Sequence, residues 1–227
     1  MSLGLPWGRR PLLALAAALA GGIAAASAGA QAPARPAGVP AYSPAAFVQG
    51  QWQHWYLPQA AAFVQAGTAL QQAMQQHCGG APKQAAQQRW RDTLLAWDKL
   101  SAVAVGPLVQ RRSARRIDFA PTRPELIQKA IAGFNAEAKD NDAALERVGS
   151  AARGFAALEW LLWTQPGAKL DAASCRFAAA LATDLLGEAT ALAGDFQAQA
   201  KGFEGDAPDA AKVTEAMSEA LNQWTGG

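Results

Sequence analysis

The sequence predicts an all-α fold, an antiparallel bundle of about six helices. Apolar residues recur at steps of three and four along several long segments, which is the period of one helix face. Gly and Pro clusters separate these segments, and no segment alternates apolar and polar residues as a half-buried strand does. Because each apolar seam must be buried against another, we expect the helices to pack together as a bundle.

The N-terminal segment, residues 1–30, has the layout of a secretory signal peptide. Two arginines precede an apolar stretch at residues 12–23, which is shorter than the roughly 20 residues of a membrane-spanning helix. Small residues precede the expected cleavage point after Ala30, and no lipid-carrying cysteine follows the apolar stretch. We therefore expect a protein of the periplasm or the medium that is not an integral membrane protein.

The charge of the exported part excludes some classes of partner. Removing residues 1–30 leaves 18 basic against 18 acidic residues, and this balance argues against general binding to nucleic acid or to anionic membranes. Residues 31–42 are rich in Pro and Ala and are expected to form a flexible linker. The helical domain is accordingly predicted over residues 43–227, which is long enough for one sizeable core or two small ones.

Both cysteines, Cys78 and Cys175, belong to the exported part. In an oxidising compartment a disulfide between them is the leading interpretation. It would close a loop of roughly 100 residues and stabilise the fold by up to about 4.7 kcal/mol in the chain-entropy model. Two separately buried thiols are the alternative.

The first half of the domain is predicted to contain two long helices. Ser43 supplies an N-cap for helix one, which should reach about His77 with a kink near Leu57, where a proline follows. Helix two is predicted over residues 82–105, and a Gly-Pro pair ends it. The predicted buried stripe of helix two is Trp90, Leu94, Trp97 and Ser101.

An arginine-rich segment follows helix two. Its four arginines form the only dense basic run of the exported part: Arg111, Arg112, Arg115 and Arg116. The first half of the segment has no helical period, so a solvated loop is one interpretation and a contact with an anion or a partner is the other. Thr122 and Glu125 then form a capping-box pattern that starts a short third helix.

Three further helices are predicted in the second half. Helix four spans residues 141–163, helix five runs from Asp171 to about Phe203, and helix six spans residues 208–224. The apolar seam of helix six is Val213, Met217, Ala220 and Trp224. The seam of helix four, at steps of three and four, is Leu145, Val148, Ala152, Phe155, Glu159 and Leu162.

Glu159 falls on the seam of helix four, so its carboxylate is expected to point inward. A buried carboxylate is costly unless it finds a partner. One interpretation is a core glutamate paired with an arginine, an indole N–H or a free backbone amide. The other is an oxygen ligand for a metal, or a general base inside the bundle.

The stretch "GFAALEWLLW" at residues 154–163 resembles the signature region of the imelysin-like family of exported bacterial proteins. Four other segments are similar to family segments in the same order: "HWYLPQAAAFVQAGTALQQAMQQHC", "RWRDTLLAWDKLSAVAVGPL", "RIDFAPTRPELI" and "CRFAAALATDLLGEATALAGDF". The resemblance covers residues 47–196. It implies an all-helical protein of two bundle-like halves, exported, connected with iron uptake and named for a proposed metallopeptidase activity.

The resemblance is incomplete at the residues that carry the chemistry. The family signature G-x-H-x-x-E matches Gly154 and Glu159, but Ala156 stands at the histidine position. Because alanine cannot coordinate a metal, a site would need other ligands beside Glu159, and His54 in helix one is the obvious nitrogen candidate. The other histidine, His77, lies at a helix end, where a capping role is expected.

These observations predict a non-catalytic binding component of the envelope, linked to the acquisition of iron or another divalent metal, which would be its cofactor or cargo. A metal-dependent peptidase and an envelope protein-protein interaction scaffold are the alternatives. The missing signature histidine weakens the peptidase hypothesis, while Glu159 keeps metal binding open. The chain is also shorter than family members usually are, so an incomplete second half should leave apolar surface on helix six for a partner to cover.

Overall fold

The computed structural model describes residues 42–136, 141–164, 170–205 and 208–226. The predicted signal peptide and nearly all of the predicted linker lie outside these ranges. Every regular element within them is helical, so the all-α prediction is confirmed. In this part of the chain, no helix is both long enough and apolar enough to cross a membrane.

Helix one begins at its predicted cap. The Ser43 hydroxyl accepts a hydrogen bond from the Ala46 amide at 3.1 Å. The irregularity expected near Leu57 takes the form of one π-helical turn, Trp52–Tyr56, in which an extra residue enters the helical hydrogen-bond ladder. This turn joins α1, Pro44–Gln51, to α2, Leu57–Cys78.

Three long helices form the framework of the fold: α2, α3 at Lys83–Ser101 and α9 at Ala172–Ala200. α2 packs along both of the others. A disulfide joins Cys78 at the end of α2 to Cys175 in the first turn of α9, with the Cα atoms 5.5 Å apart. At the opposite ends of these helices, Tyr56 stacks on Phe196, so α2 and α9 run antiparallel. The predicted disulfide is confirmed.

The buried face of α3 differs slightly from the predicted stripe. Trp90 and Trp97 are buried as predicted, but Thr93 is buried in place of Leu94. The Thr93 hydroxyl lies 3.1 Å from the Ala66 carbonyl of α2, so its polar group is satisfied inside the helix pair. α3 ends at residue 101, earlier than the predicted end at 105.

The arginine-rich segment is not a solvated loop. It forms two short helices, α4 at Pro107–Gln110 and α5 at Ser113–Ile117, before α6 at Pro124–Ala136. Arg112 separates α4 from α5 in a left-handed backbone conformation with φ 55°. The sequence of this segment has no continuous helical period because the backbone is interrupted there. α6 begins close to its predicted start.

The fourth predicted helix is broken, so the prediction of one continuous helix over residues 141–163 is wrong. Its pieces are α7 at Asn141–Glu146, a 3-10 turn at Ser150–Ala152 and α8 at Gly154–Trp163. Gly149 and Arg153, on either side of the turn, have extended backbone. Extended residues cannot continue the hydrogen-bond ladder of a helix, and the chain changes direction there.

Side chains of α3 hold α8 at both of its ends. The Trp90 indole N–H donates to the Phe155 carbonyl at 3.1 Å. The Gln87 amide donates to the Leu162 carbonyl at 2.9 Å. α8 is buried around most of its circumference as a result.

The last helix, α10 at Ala210–Trp224, begins at its cap Asp209. Val213 and Ala220 are buried, as the seam predicts, and the helix packs on α1. Trp224 is 52% exposed, although its ring meets the edge of Phe47 at 5.7 Å. The end of α10 therefore carries exposed apolar surface, as expected.

Candidate functional site

Glu159 lies on the outer face of α8 and is exposed to solvent. The prediction of an inward carboxylate is wrong. Its seam neighbours within α8, Phe155 and Leu162, are buried as predicted, but Glu159 lies on a side of the helix that stays open. Within α8, a narrow outward stripe remains, formed by Ala156, Glu159 and Trp163. A carboxylate takes such a stripe in preference to the core, since water solvates it there.

The signature glycine begins α8 at a place that excludes a side chain. Gly154 has φ 65°, in the region that favours glycine. A Cβ at this position would overlap the backbone carbonyl of Ile117, at the end of α5. The glycine thus permits close contact between α5 and α8, and this contact places the preceding residue, Arg153, beside α9.

The predicted metal ligands Glu159 and His54 lie on different elements, α8 and the π-helical turn, and both are exposed. Among the described residues, no group of three or more His, Cys, Asp or Glu side chains is arranged to hold a metal ion. Metal binding by these two residues therefore stays a prediction. His77 is 3% exposed, and its Nδ1 lies 2.9 Å from the Ala81 carbonyl. Ala81 follows α2, so this contact holds the turn after the helix and is not the predicted cap on a helix carbonyl.

A cluster of buried and partly exposed charges, which the sequence reasoning missed, lies between the arginine-rich segment and α9. We call it the arginine–carboxylate cluster; its members are Arg111, Ser113, Arg116, Arg153, Asp184 and Glu188. The Glu188 side chain is only 1% exposed. Arg111 donates to it in a two-pronged pair, from Nε to Oε1 at 3.0 Å and from Nη2 to Oε2 at 2.8 Å. The Ser113 hydroxyl also donates to Oε1, at 2.7 Å.

Asp184, one turn before Glu188 on α9, receives the other two arginines. Arg116 Nη2 donates to Asp184 Oδ1 at 2.8 Å, and Arg153 Nη2 donates to the same oxygen at 2.6 Å. Arg116 Nε also lies 3.5 Å from Glu188 Oε2, an ionic contact that links the two carboxylates. Three guanidinium groups from two parts of the chain thus converge on one face of α9.

The environment of Glu188 keeps it ionised. Burial by itself would raise the pKa of Glu188, but hydrogen bonds from Arg111 and Ser113, with the charges of Arg111 and Arg116, hold that pKa below its ordinary value. The hydrogen bond to Glu188 raises the pKa of Arg111 further above its usual range. Both partners stay charged at neutral pH.

The arginine–carboxylate cluster forms the floor of a cleft of about 380 Å³. The cleft is lined by Arg111, Arg116, Leu145, Glu146, Arg153, Thr183, Asp184, Gly187 and Glu188. Three buried atoms of this lining have no hydrogen-bond partner among the described residues: Arg116 Nε, Arg153 Nε and Asp184 Oδ2. At Gly187, a Cβ would meet no atom within 4 Å, so this glycine leaves the cleft open.

The helical period of α9 is a signal that could have identified Glu188. Leu181, Leu185, Glu188 and Leu192 are spaced four, three and four residues apart, and all four are buried. The arginines carry no equivalent signal, because α4 and α5 are too short to show a period. The arginine run is divided in its roles: Arg111 and Arg116 contact carboxylates of the same chain, whereas Arg112 and Arg115 are exposed. Contact of the run with an outside anion or partner stays a prediction.

Comparisons with known proteins agree with this architecture. The family model described as Imelysin matches residues 56–227. The crystal structure of an imelysin-like protein from Psychrobacter arcticum 273-4, at 2.15 Å resolution, superposes with a TM-score of 0.64 at 21% identity. The match covers 80% of this chain and 57% of that protein, so the chain spans little more than half of its length. None of the curated proteins matches the chain. The extent of the family match shows that the chain belongs to the imelysin family.

Proposed function

We propose that this imelysin-family chain is an exported, non-catalytic binding protein whose ligand site is the cleft above the arginine–carboxylate cluster. The observation that carries the proposal is the kind of charge in the cleft. Arginine does not release its proton at physiological pH, and the lowered pKa of Glu188 makes it a poor proton acceptor. Such groups hold and orient a ligand without exchanging protons with it.

Export is supported by the signal-peptide pattern of residues 1–30 and by the disulfide, which suits an oxidising compartment. Protein recovered from the periplasm should begin after about Ala30 and contain no titratable thiol when it is unfolded without reductant. Two thiols per chain in that titration would contradict export. N-terminal sequencing separates this result from one caused by a different cleavage point.

A role in the acquisition of iron or another divalent metal is the finer part of the proposal, with Glu159 as the ligand. One exposed carboxylate is too few ligands for tight binding. We therefore expect added metal to stabilise the wild-type protein weakly or not at all. Ala156→His would add an imidazole one turn before Glu159 on the same stripe and should produce a measurable gain. Strong stabilisation of the wild type that Glu159→Gln abolishes would instead make Glu159 the main site.

The peptidase alternative is tested directly. The purified protein should not cleave peptides, because Ala156 replaces the signature histidine. Cleavage that is lost both in Glu159→Gln and on adding a chelator, but kept in Glu204→Gln, would show that the protein is an enzyme. Glu204 is a suitable control because it is exposed and lies outside α8.

The cleft itself is tested by blocking it without changing its charges. Gly187→Leu should fill the cleft, while Gly194→Leu places the same side chain on the same helix where it also meets no atom within 4 Å. In a thermal-stability screen of small polar metabolites, at least one should stabilise the wild type and Gly194→Leu but not Gly187→Leu. If every compound has equal effects on all three proteins, the binding proposal is wrong. The scaffold alternative predicts that result, with the apolar end of α10 as the contact surface.

A further inference from the structure

We infer that the cleft selects small organic acids that carry a hydrogen-bond donor beside the carboxylate, such as 2-hydroxy acids and amino acids. This inference rests on the proposed function, since it names the class of ligand for the same cleft. It follows from the three buried atoms of the lining that lack partners, from the size of the cleft and from the charges around it.

The unpartnered atoms are of two opposite kinds. Arg153 Nε is a donor that needs an acceptor, and Asp184 Oδ2 is an acceptor that needs a donor. Arg116 Nε makes no hydrogen bond and has only its 3.5 Å ionic contact with Glu188 Oε2. The Arg153 and Asp184 side chains are each 9% exposed, so bulk water solvates them little. Arg116 and Arg153 both donate to Asp184 Oδ1. An acceptor for the guanidinium Nε of Arg153 and a donor for Asp184 Oδ2 are therefore needed close together. A molecule with an anionic oxygen and a nearby O–H or N–H supplies both.

The charges of the cleft argue against the two simpler classes of ligand. A metal cation would be repelled by the guanidinium groups of Arg116 and Arg153, which meet at Asp184 Oδ1. An anion that only accepts hydrogen bonds, such as sulfate or a plain carboxylate, would leave Asp184 Oδ2 facing a second acceptor. A carboxylate with an adjacent hydroxyl or ammonium avoids this repulsion, because its donor faces the aspartate.

The size of the cleft limits the ligand further. A volume of about 380 Å³ lies at the lower end of the range for small-molecule sites. The cleft opens beside Thr183 and Gly187, which are both exposed. A small acid fits with its carboxylate towards the cluster and its side group towards the opening, whereas a folded protein segment does not.

The test compares isosteric acids by calorimetry on the mature protein. L-lactate and L-alanine carry the donor, and propionate lacks it; inorganic sulfate is the donor-less anion without a carbon chain. We expect lactate or alanine to bind at least about tenfold more tightly than propionate or sulfate, the difference expected for one charge-assisted hydrogen bond. Comparing lactate with alanine distinguishes a hydroxyl donor from an ammonium donor.

Two variants localise the effect. Asp184→Asn can present an amide N–H where the unpaired oxygen was, so the preference over propionate should fall to about onefold to threefold. Gly187→Leu should abolish binding of every probe, while Gly194→Leu should match the wild type. If Asp184→Asn does not fold, Gly187→Leu and the wild-type ratio still decide the question.

The outcomes separate the inference from the proposed function. Propionate or sulfate binding as tightly as lactate and alanine, and lost in Gly187→Leu, would overturn the ligand class and leave the cleft as a binding site. Binding that is equal in Gly187→Leu and the wild type would overturn both. Failure of all four probes to bind, while another metabolite stabilises the wild type but not Gly187→Leu, would overturn the ligand class alone.

Discussion

The outer face of α8 and the buried face of α9 each carry one glutamate in an apolar helical stretch, and the two glutamates have opposite environments. Glu159 on α8 is exposed, whereas the Glu188 side chain on α9 is 1% exposed. The two environments differ because neighbouring elements supply hydrogen-bond and ionic partners to Glu188. Arg111 and Ser113 reach Glu188 from the arginine-rich segment, and their hydrogen bonds offset the cost of burying a charge. A charge in an apolar run is buried when other elements supply its partners.

The largest expected effect contrasts the two glutamates directly. Glu188→Ala should lower the free energy of unfolding by about 3 kcal/mol, because it leaves a desolvated guanidinium without its main partner. We take the low end of the range for a broken buried pair, since the Arg111 side chain is 31% exposed. Glu159→Ala should change the free energy of unfolding by less than about 0.5 kcal/mol. Urea unfolding of the three proteins measures both values, and equal effects would remove the contrast.

The next effect concerns the glycine that begins α8. Gly154→Ala should destabilise the protein by about 2 kcal/mol or more, because its positive φ disfavours a side chain and the Cβ would overlap the Ile117 carbonyl. It should also loosen Arg153, the neighbouring residue of the cluster. The measurement is again urea unfolding. A loss of less than about 0.5 kcal/mol in the free energy of unfolding, typical of a surface substitution, would mean that α5 and α8 can move apart at little cost.

A smaller effect of opposite sign is expected at the glycine of α9. Gly187→Ala should stabilise the protein by about 0.4 to 1 kcal/mol, since alanine favours the helix and its methyl group meets no atom within 4 Å. Thermal and urea unfolding measure the gain. Gly194→Ala on the same helix is the matched control and should give a similar gain. A destabilised Gly187→Ala would show that the cleft is narrower than it is in this structure.

The smallest expected effect concerns the pH dependence of stability and appears only in acid. The folded-state pKa of Glu188 is lowered from an ordinary value of 4.5, so its ionised form stabilises the fold fully above pH 4.5. As the pH falls through the folded pKa, that stabilisation is lost. The stability gap between the wild type and Glu188→Gln should therefore be constant from pH 7 to about 5 and shrink below it. Gly187→Ala changes no charge, so its difference in stability from the wild type should not vary over this pH range. A difference between the wild type and Glu188→Gln that grows in acid would contradict the prediction.

Helix starts were the part of the fold most open to prediction from the sequence. The sequence predicts Ser43 as a cap and Asp171 as the start of a helix; each accepts a hydrogen bond from a first-turn amide and caps the start of α1 or α9. Such bonds join residues three apart and depend on nothing else in the chain. The disulfide could be predicted for a different reason, because the chain contains only two cysteines, Cys78 and Cys175, and so allows only one pairing within it.

The candidate site was the part least open to prediction. Glu159 shares its predicted seam with Phe155 and Leu162, which are buried, so the helical period of α8 did not show that the position of Glu159 stays open. The arginine-rich segment gave no sign of its partners, since Arg111 and Glu188 are 77 residues apart. A wider use of the helical period would have found Glu188 on its buried seam, but not the arginines that keep it charged.

The sequence by itself determined that this protein is helical, where its long helices start and which cysteines pair, because these properties depend on periodicity, caps and composition. The tertiary structure alone decided which glutamate is buried. Burial of a charge depends on the contacts of elements distant in the chain. Here α5, Arg153 and α9 are brought together within a framework of α2, α3 and α9 packed around an apolar core. The local sequence does not specify these contacts, so the site cannot be identified without the tertiary structure.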